Sequence, residues 1–335
     1  MMTPFSLHKK RKKSNQLYLA FRFVLFCLYF YISTPKLKTM AEQKQKYALI
    51  TGASSGIGYS LAKEFSKNNY KVFGLSPESV LHLQKPLEKE FGLISIACDI
   101  TNVNDIENAK KIIEKETNGG YLDILYNNAG IAIGYPAIEI PVDKLNKIFQ
   151  INVLGHINMT QYFAPFIIKS KGSIIFTSSV AARVPLSWIS AYSATKSAID
   201  AYAKTLHGEM EPFGVRVHSV ITGGVQTPIG KDDNKLDDVE KIFETSPYNV
   251  DGMIDSVLST LNMSMERGIP PDRYAKDLVA KITKRSKNFN LYGGSHGYLL
   301  HLVGLYFPLW LIEFLMQLIF KQLTPFKNIR EKYQN

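Results

Sequence analysis

The chain predicts a doubly wound α/β domain, a parallel sheet covered by helices on both faces. Three observations carry this. Short apolar runs recur at helix-length intervals, a glycine-rich turn joins the first run to a helix, and glycine or small polar residues follow run after run. In such a sheet the ligand crevice opens at the carboxyl ends of the strands, so the residues just after the runs converge on one edge.

Residues 47–50, Tyr-Ala-Leu-Ile, are the first run. Thr51-Gly52-Ala53-Ser54-Ser55-Gly56-Ile57-Gly58 follows, and residues 59–65 read as a helix. Glycines here let the backbone turn sharply and approach a pyrophosphate resting on the free N–H groups of the helix start. Read alone, the run is also compatible with an ordinary strand-to-helix turn. Runs at 72–75, 93–97, 122–126, 173–177 and 215–220 complete the alternation, followed in turn by Ser76, Asp99, Asn128 to Gly130, Ser179 and Gly223 to Thr227. Tyr192 and Lys196, in Tyr192-Ser193-Ala194-Thr195-Lys196, lie four apart and share one helix face. A free phenol has a pKa of ~10, and a neighbouring cation favours its ionised form, so a lowered Tyr192 pKa and general acid or base work are expected.

Residues of about 46 to 292 resemble the classical short-chain dehydrogenases/reductases: Thr-Gly-x-x-x-Gly-x-Gly, Asn127-Asn128-Ala129-Gly130, a Ser thirteen residues before Tyr192, and Tyr-x-x-x-Lys appear in order. The resemblance implies a Rossmann-type single domain with a nicotinamide cofactor. It implies that Ser179 bonds the substrate oxygen, Tyr192 exchanges the proton, and Lys196 holds the nicotinamide ribose and lowers the Tyr192 pKa. By the same resemblance Asn152 supports a water-mediated proton relay, Asp99 meets the adenine, and Val225 and Thr227 meet the carboxamide. Local alternatives for three of them are an ST-turn at Ser179, a helix irregularity at Asn152 and a strand-end cap at Asp99.

Several stretches, among them 122–130, 153–159, 220–225 and the apolar C-terminal segment, are similar to fungal NADPH-dependent 1-acyldihydroxyacetone-phosphate reductases. That likeness implies reduction of an acylated triose-phosphate ketone to 1-acylglycerol 3-phosphate, in glycerolipid and phosphatidic acid biosynthesis. Retinol or 17β-hydroxysteroid dehydrogenases share the same catalytic residues, and a lipid-droplet scaffold without turnover is a reading from another class. Relatives that use NAD end the second strand with an acid; here Ser76 stands there, with Pro77 and Glu78 where the nearest relatives carry arginines. No acid at Ser76 means no repulsion of a 2′-phosphate, and Ser54, Ser55 and Ser76 are expected to donate hydrogen bonds to it, so NADPH is the expected cofactor.

With 335 residues and 45% hydrophobic content the chain builds one such domain with additions at each end: an extension at 1–39, the domain at 40–295 and a segment at 296–335. Only Cys27 and Cys98 are present, so there is no disulfide framework and a reducing compartment is expected. Of the +11 net charge, +8 lies in the first 39 residues, which hold no acid, leaving +3 for the rest. Basic residues flanking the apolar run 17–33 describe a membrane-associated segment and not a nucleic-acid surface. That run of 17 residues would span ~25 Å as a helix against a bilayer core of ~30 Å. It reads as signal peptide, signal anchor or interfacial helix, or, with Met40 as the start, as an extension seldom translated.

Residues 298–320 are long enough to span, but Glu313, Gln317 and Lys321 make a polar stripe opposite Trp310, Leu311, Phe314, Leu315, Leu318 and Ile319. This predicts a helix in a lipid interface, with a soluble helix packed on the enzyme or on a second copy as the alternative. The expected location is the endoplasmic reticulum membrane and lipid droplet, catalytic domain in the cytosol, with a lipid-like substrate and a homo-oligomer compatible with the chain. The polar stretch 227–271 is where the family places a substrate lid, and Arg183 is a candidate for an anionic head group.

Overall fold

The computed structural model describes residues 44–229 and 243–334; the extension at 1–39 and the acidic part of the lid lie outside the described residues. Residues Gln45 to Asn335 form one compact unit, so the C-terminal segment belongs to the same body as the sheet.

Seven parallel strands make one sheet: β1 Lys46–Thr51, β2 Tyr70–Ser76, β3 Ile94–Ala97, β4 Ile124–Asn127, β5 Ser173–Thr177, β6 Arg216–Thr222 and β7 Asn290–Gly293, in the order β3-β2-β1-β4-β5-β6-β7. The order reverses between β1 and β4, and there a crevice opens at the strand ends.

Both faces are covered, which is why the strands read as nearly continuous apolar runs. Along β1, Leu49 joins one core with Phe73, Leu75, Leu125, Ile174 and Val217. Its neighbours Ala48 and Ile50 join the other with Val72, Tyr126, Ile175 and Val220. The first core is closed by α3 Val103–Glu116, α5 His156–Ser170 and α6 Ser190–Met210. The second is closed by α1 Gly56–Lys67, α2 Lys85–Phe91 and α8 Pro271–Thr283. A helix α4, Val142–Phe149, leads through a widened π turn at Gln150–Gly155 into α5, and α7, Met253–Arg267, lies within the polar stretch 227–271. β7 has no run of its own: among Asn290, Leu291, Tyr292 and Gly293 only Leu291 is buried, and pairing to β6 alone makes it a strand.

The C-terminal segment differs from expectation in two ways. Phe307 takes an extended backbone and Pro308 caps a new helix, so the apolar stretch is broken into α9 Gly297–Tyr306 and α10 Leu309–Ile319, followed by α11 Leu323–Gln334. No helix among the described residues is long and apolar enough to cross a membrane. Further, the apolar side of α10 is divided. Ile312 and Met316, with Phe320 after them, pack on Ala181, Val184 and Leu186. Trp310, Phe314 and Leu318 stay exposed.

Candidate active site

The β1–α1 turn is built for close approach. Gly52 and Gly56 have φ of +69° and +52°, a region that favours glycine. A Cβ at Gly52 would lie 3.0 Å from the Ala129 Cα, and one at Gly58 would overlap the Gly52 carbonyl and lie 2.7 Å from Asn128 Nδ2. The N-cap residue of α1, Ser55, is extended and makes no side-chain cap, so the first-turn N–H groups have no side-chain partner from it. Ser54, Ser55 and Ile57 surround these amides along the turn. The cradle and the uncapped helix start fit a dinucleotide pyrophosphate.

Asn128 ties the strand ends together. Its Nδ2 donates to the Thr51 carbonyl at 3.1 Å and its Oδ1 accepts from Thr177 Oγ1 at 3.2 Å. Thr51 Oγ1 in turn accepts from the N–H groups of Asn128 and Ala129 at 2.9 and 3.0 Å. Gly130 lies beside Asn152 and Lys196, where a Cβ would meet Asn152 Oδ1 at 3.2 Å and Lys196 Nζ at 3.6 Å. Past β6, Thr227 packs on the glycine turn, its Cβ 3.2 Å from where a Gly56 Cβ would be. Gln226, between Val225 and Thr227, donates to the Ile269 carbonyl at 3.0 Å, which fixes that strand exit.

The buried Asn152 sits in the π turn, and a π turn inside a helix is a frequent mark of a functional position. Its Oδ1 accepts from Ile131 N at 2.9 Å, and its Nδ2 donates to the Ile131 carbonyl at 2.9 Å and to Thr195 Oγ1 at 3.1 Å. The carboxamide therefore clamps the segment after β4 to α6. Ser179 caps a short 3₁₀ turn, Val180–Ala182, by accepting from Ala181 N at 3.1 Å, so the ST-turn is present and leaves the hydroxyl proton for another acceptor. Asp99 likewise caps its own turn, accepting from Thr101 N and Oγ1 at 2.9 and 2.8 Å.

Lys196 is buried, and its Nζ donates to the Thr177 carbonyl at 2.8 Å and lies 5.6 Å from the Tyr192 ring centroid. Burial pulls the Lys196 ammonium down to about 8. Burial raises the Tyr192 phenol, and the hydrogen bond from Ser179 offsets this only in part. That corrects the expectation of a lowered Tyr192: desolvation of the phenolate, opposed only by the Ser179 hydrogen bond, sets the direction. The half-buried phenol stays protonated at neutral pH, the form a proton donor needs.

Two other expectations are corrected. Ser76 is buried, donates to the Leu75 carbonyl at 2.8 Å and accepts from Gln84 Nε2 at 2.8 Å, so its proton is taken and it offers none to a phosphate. Arg183 is not a free anion site. Its Nη2 donates to Asp200 Oδ2 at 2.6 Å and its Nε to His301 Nδ1 at 3.2 Å. Reading the sequence gave no separate role to Thr51, the first residue of the glycine motif, to Thr177, the last of its run, or to His156, whose only signal is its place on the helix after Asn152. His156 is buried with Nε2 2.6 Å from the Ala129 carbonyl, and burial together with the Lys196 charge lowers its pKa to about 3.

Fold and site together define a nucleotide-dependent oxidoreductase with a Ser–Tyr–Lys centre, and residues 46–238 match the family model for short chain dehydrogenase. The chain belongs to the short-chain dehydrogenase family. It is 37% identical over 278 residues to the NADPH-dependent 1-acyldihydroxyacetone phosphate reductase of Saccharomyces cerevisiae, covering 82% of this chain and 91% of that protein. It is 36% identical over 188 residues to the Schizosaccharomyces pombe protein of the same description, covering 56% of this chain and 62% of that one. A crystal structure of a short-chain dehydrogenase from Streptomyces avermitilis has the same fold, with a TM-score of 0.67 and 22% identity over 78% of this chain and 93% of that one.

Two buried rings make the fold acid-sensitive. Burial pushes His156 down to about 3 and His218, on β6, down to about 4, both below the unfolded value of 6.5. The unfolded chain binds more protons between these values, so stability present above pH 6.5 is lost as pH falls toward 4. The loss is up to about 1.4 kcal/mol per pH unit for each ring. Urea midpoints measured at pH 7 and pH 5 should show the drop, and His156→Gln, which keeps an N–H donor for Ala129, should make it smaller.

Proposed function

We propose that the protein reduces the ketone of a 1-acyldihydroxyacetone phosphate with NADPH, giving 1-acylglycerol 3-phosphate. The observation that carries the reading is the likeness to the yeast reductase, 37% identical over 278 residues that cover 82% of this chain and 91% of that protein. The glycine turn and the uncapped α1 start suit the pyrophosphate, and bound there the cofactor supplies the hydride. This chain's own residues do the rest. The Tyr192 hydroxyl, kept protonated by burial, donates a proton to the substrate oxygen. Ser179, whose O–H is given to the Tyr192 oxygen in the structure, would turn it to the same substrate oxygen when substrate is bound, and Lys196, fixed on the Thr177 carbonyl, retains two further N–H donors for a ribose hydroxyl or the phenol.

The engagement of Arg183 favours a second reading, a lipophilic ketone or alcohol without a phosphate, such as a retinoid or a 17-oxosteroid. Purified protein given NADPH with acyl-dihydroxyacetone phosphate, a steroid ketone and retinal separates the two; highest kcat/KM on the acyl phosphate supports the first. The intact Ser179, Tyr192 and Lys196 argue against a scaffold without turnover.

The exposed face of α9 and α10 presents Tyr298, Leu299, Tyr306, Trp310, Phe314 and Leu318, with Tyr306 and Trp310 77% and 68% exposed. Beside it in the chain stand the exposed Lys321, Lys327, Arg330 and Lys332. An apolar face bordered by cations complements an anionic lipid surface, so the reading includes attachment to the cytosolic face of the endoplasmic reticulum or a lipid droplet.

Three outcomes are expected. Tyr192→Phe removes the transferable proton and keeps the ring, so turnover falls by ~10²-fold or more while cofactor fluorescence titration is unchanged. NADPH gives a higher kcat/KM than NADH, and Glu78→Arg, at an exposed position past β2, lowers the KM for NADPH with kcat constant, through a charge-assisted contact to the 2′-phosphate. Trp310→Glu with Leu318→Glu, in a chain beginning at Met40, moves the protein to the soluble fraction with its melting temperature intact; retention on membranes would assign attachment elsewhere.

A further inference from the structure

Arg183 joins three parts of the molecule that carry the chemistry. It follows the 3₁₀ turn capped by Ser179, and its own N–H closes that turn on the Val180 carbonyl at 2.8 Å. Its guanidinium pairs with Asp200, both side chains nearly buried at 17% and 10% exposure, and Asp200 Oδ1 accepts from Ser219 Oγ of β6 at 2.6 Å. Tyr192, Lys196 and Asp200 recur every four residues along α6 and so share one face.

The third part is α9. His301 Nδ1 accepts from Arg183 Nε at 3.2 Å. Three residues on, Gly304 lies against the Arg183 backbone: a Cβ there would sit 3.0 Å from the carbonyl carbon and 3.2 Å from the Arg183 Cβ, and would overlap the carbonyl oxygen. Only glycine allows this approach. Beneath the contact, Leu300 and Val303 of α9 pack in the same cluster as Ala181, Val184 and Tyr192. An ordinary salt bridge would need none of this convergence on one side chain.

We propose that His301 and Gly304 are positioning residues: by seating α9 on Arg183 they hold the Ser179 turn and the Tyr192–Lys196 face of α6 in reacting register. Catalytic geometry is thus complete only while the C-terminal helix pair is docked. The inference rests on the reductase reading for its kinetic effect, and on the structure alone for the coupling. His301 must accept at Nδ1, so it works unprotonated. Arg183, Asp200 and the Tyr292 ring, 5.3 Å away, face it, and burial and Arg183 lower its pKa while Asp200 raises it. Protonation puts a donor and a positive charge against the guanidinium.

The test uses the full chain with His301→Leu, His301→Asn and Gly304→Ala. Leu removes the acceptor, Asn keeps an oxygen near the place of Nδ1 without titrating, and Ala forces α9 off Arg183. His301→Leu and Gly304→Ala should lower kcat by about tenfold or more with the KM for NADPH unchanged, as misplacement of reacting groups does. His301→Asn should keep kcat within about twofold and lose a decline in kcat that wild type shows below pH 6.5. Hydrogen exchange at the amides of Ala181 to Arg183 should speed up in the Leu and Ala variants and not in Asn. A folded His301→Leu enzyme with wild-type kcat and wild-type exchange overturns the proposal, as does an acid decline that persists in His301→Asn at pH values where circular dichroism shows the fold intact. Should wild type reduce no ketone at all, the reductase reading fails while the exchange measurement still decides the coupling. Should the Leu variant not fold, the Asn pH profile decides.

Discussion

The carboxamide of Asn128 is the constraint on which the rest of the site depends. At the point where strand order reverses, the ends of β1, β4 and β5 would splay with the twist of the sheet. Asn128 holds them by bonding Thr51 on one side and Thr177 on the other. The Thr177 carbonyl then receives the Lys196 ammonium, so the same stitch that joins the strand ends also sets the height of Lys196. A buried cation with one protein acceptor costs solvation, which the lowering of Lys196 to about 8 reflects, and its remaining donors are left for ligands.

Burial rather than charge governs the proton chemistry. Tyr192 is raised and Lys196 lowered to about 8 by the same desolvation, which places the ammonium below the phenol and keeps the phenol protonated. His156 stays neutral beneath them, donating to the Ala129 carbonyl without adding a second positive charge. A centre built this way holds its phenol in the protonated form at rest, the form a general acid must start from.

The C-terminal helices serve two surfaces with one short sequence. Ile312, Met316 and Phe320 lie four apart and bury against the Ser179 loop, while Trp310, Phe314 and Leu318, also four apart, face out. With two apolar stripes on one helix, the inner stripe packs on the Ser179 loop and the outer one remains an exposed apolar face joined to it through the same backbone.

By itself the sequence determined the parallel sheet, the glycine turn, the convergence of Gly52, Asn128, Ser179 and Thr227 on one edge and the pairing of Tyr192 with Lys196. Each of these follows from local periodicity: apolar runs for strands, i and i+4 for a helix face, and glycine where φ is positive. What only the tertiary structure decided depends on which groups meet across the fold. Ser76 spends its proton on Leu75 because Gln84, eight residues on, turns back over it. Arg183 is consumed by Asp200 and His301, the latter 118 residues away in the chain. β7 exists only because β6 offers an open edge. The divided face of α10 was hidden for the same reason. Hydrophobic spacing reports that a side is apolar, but whether protein or another phase covers it depends on the neighbour that the fold places there.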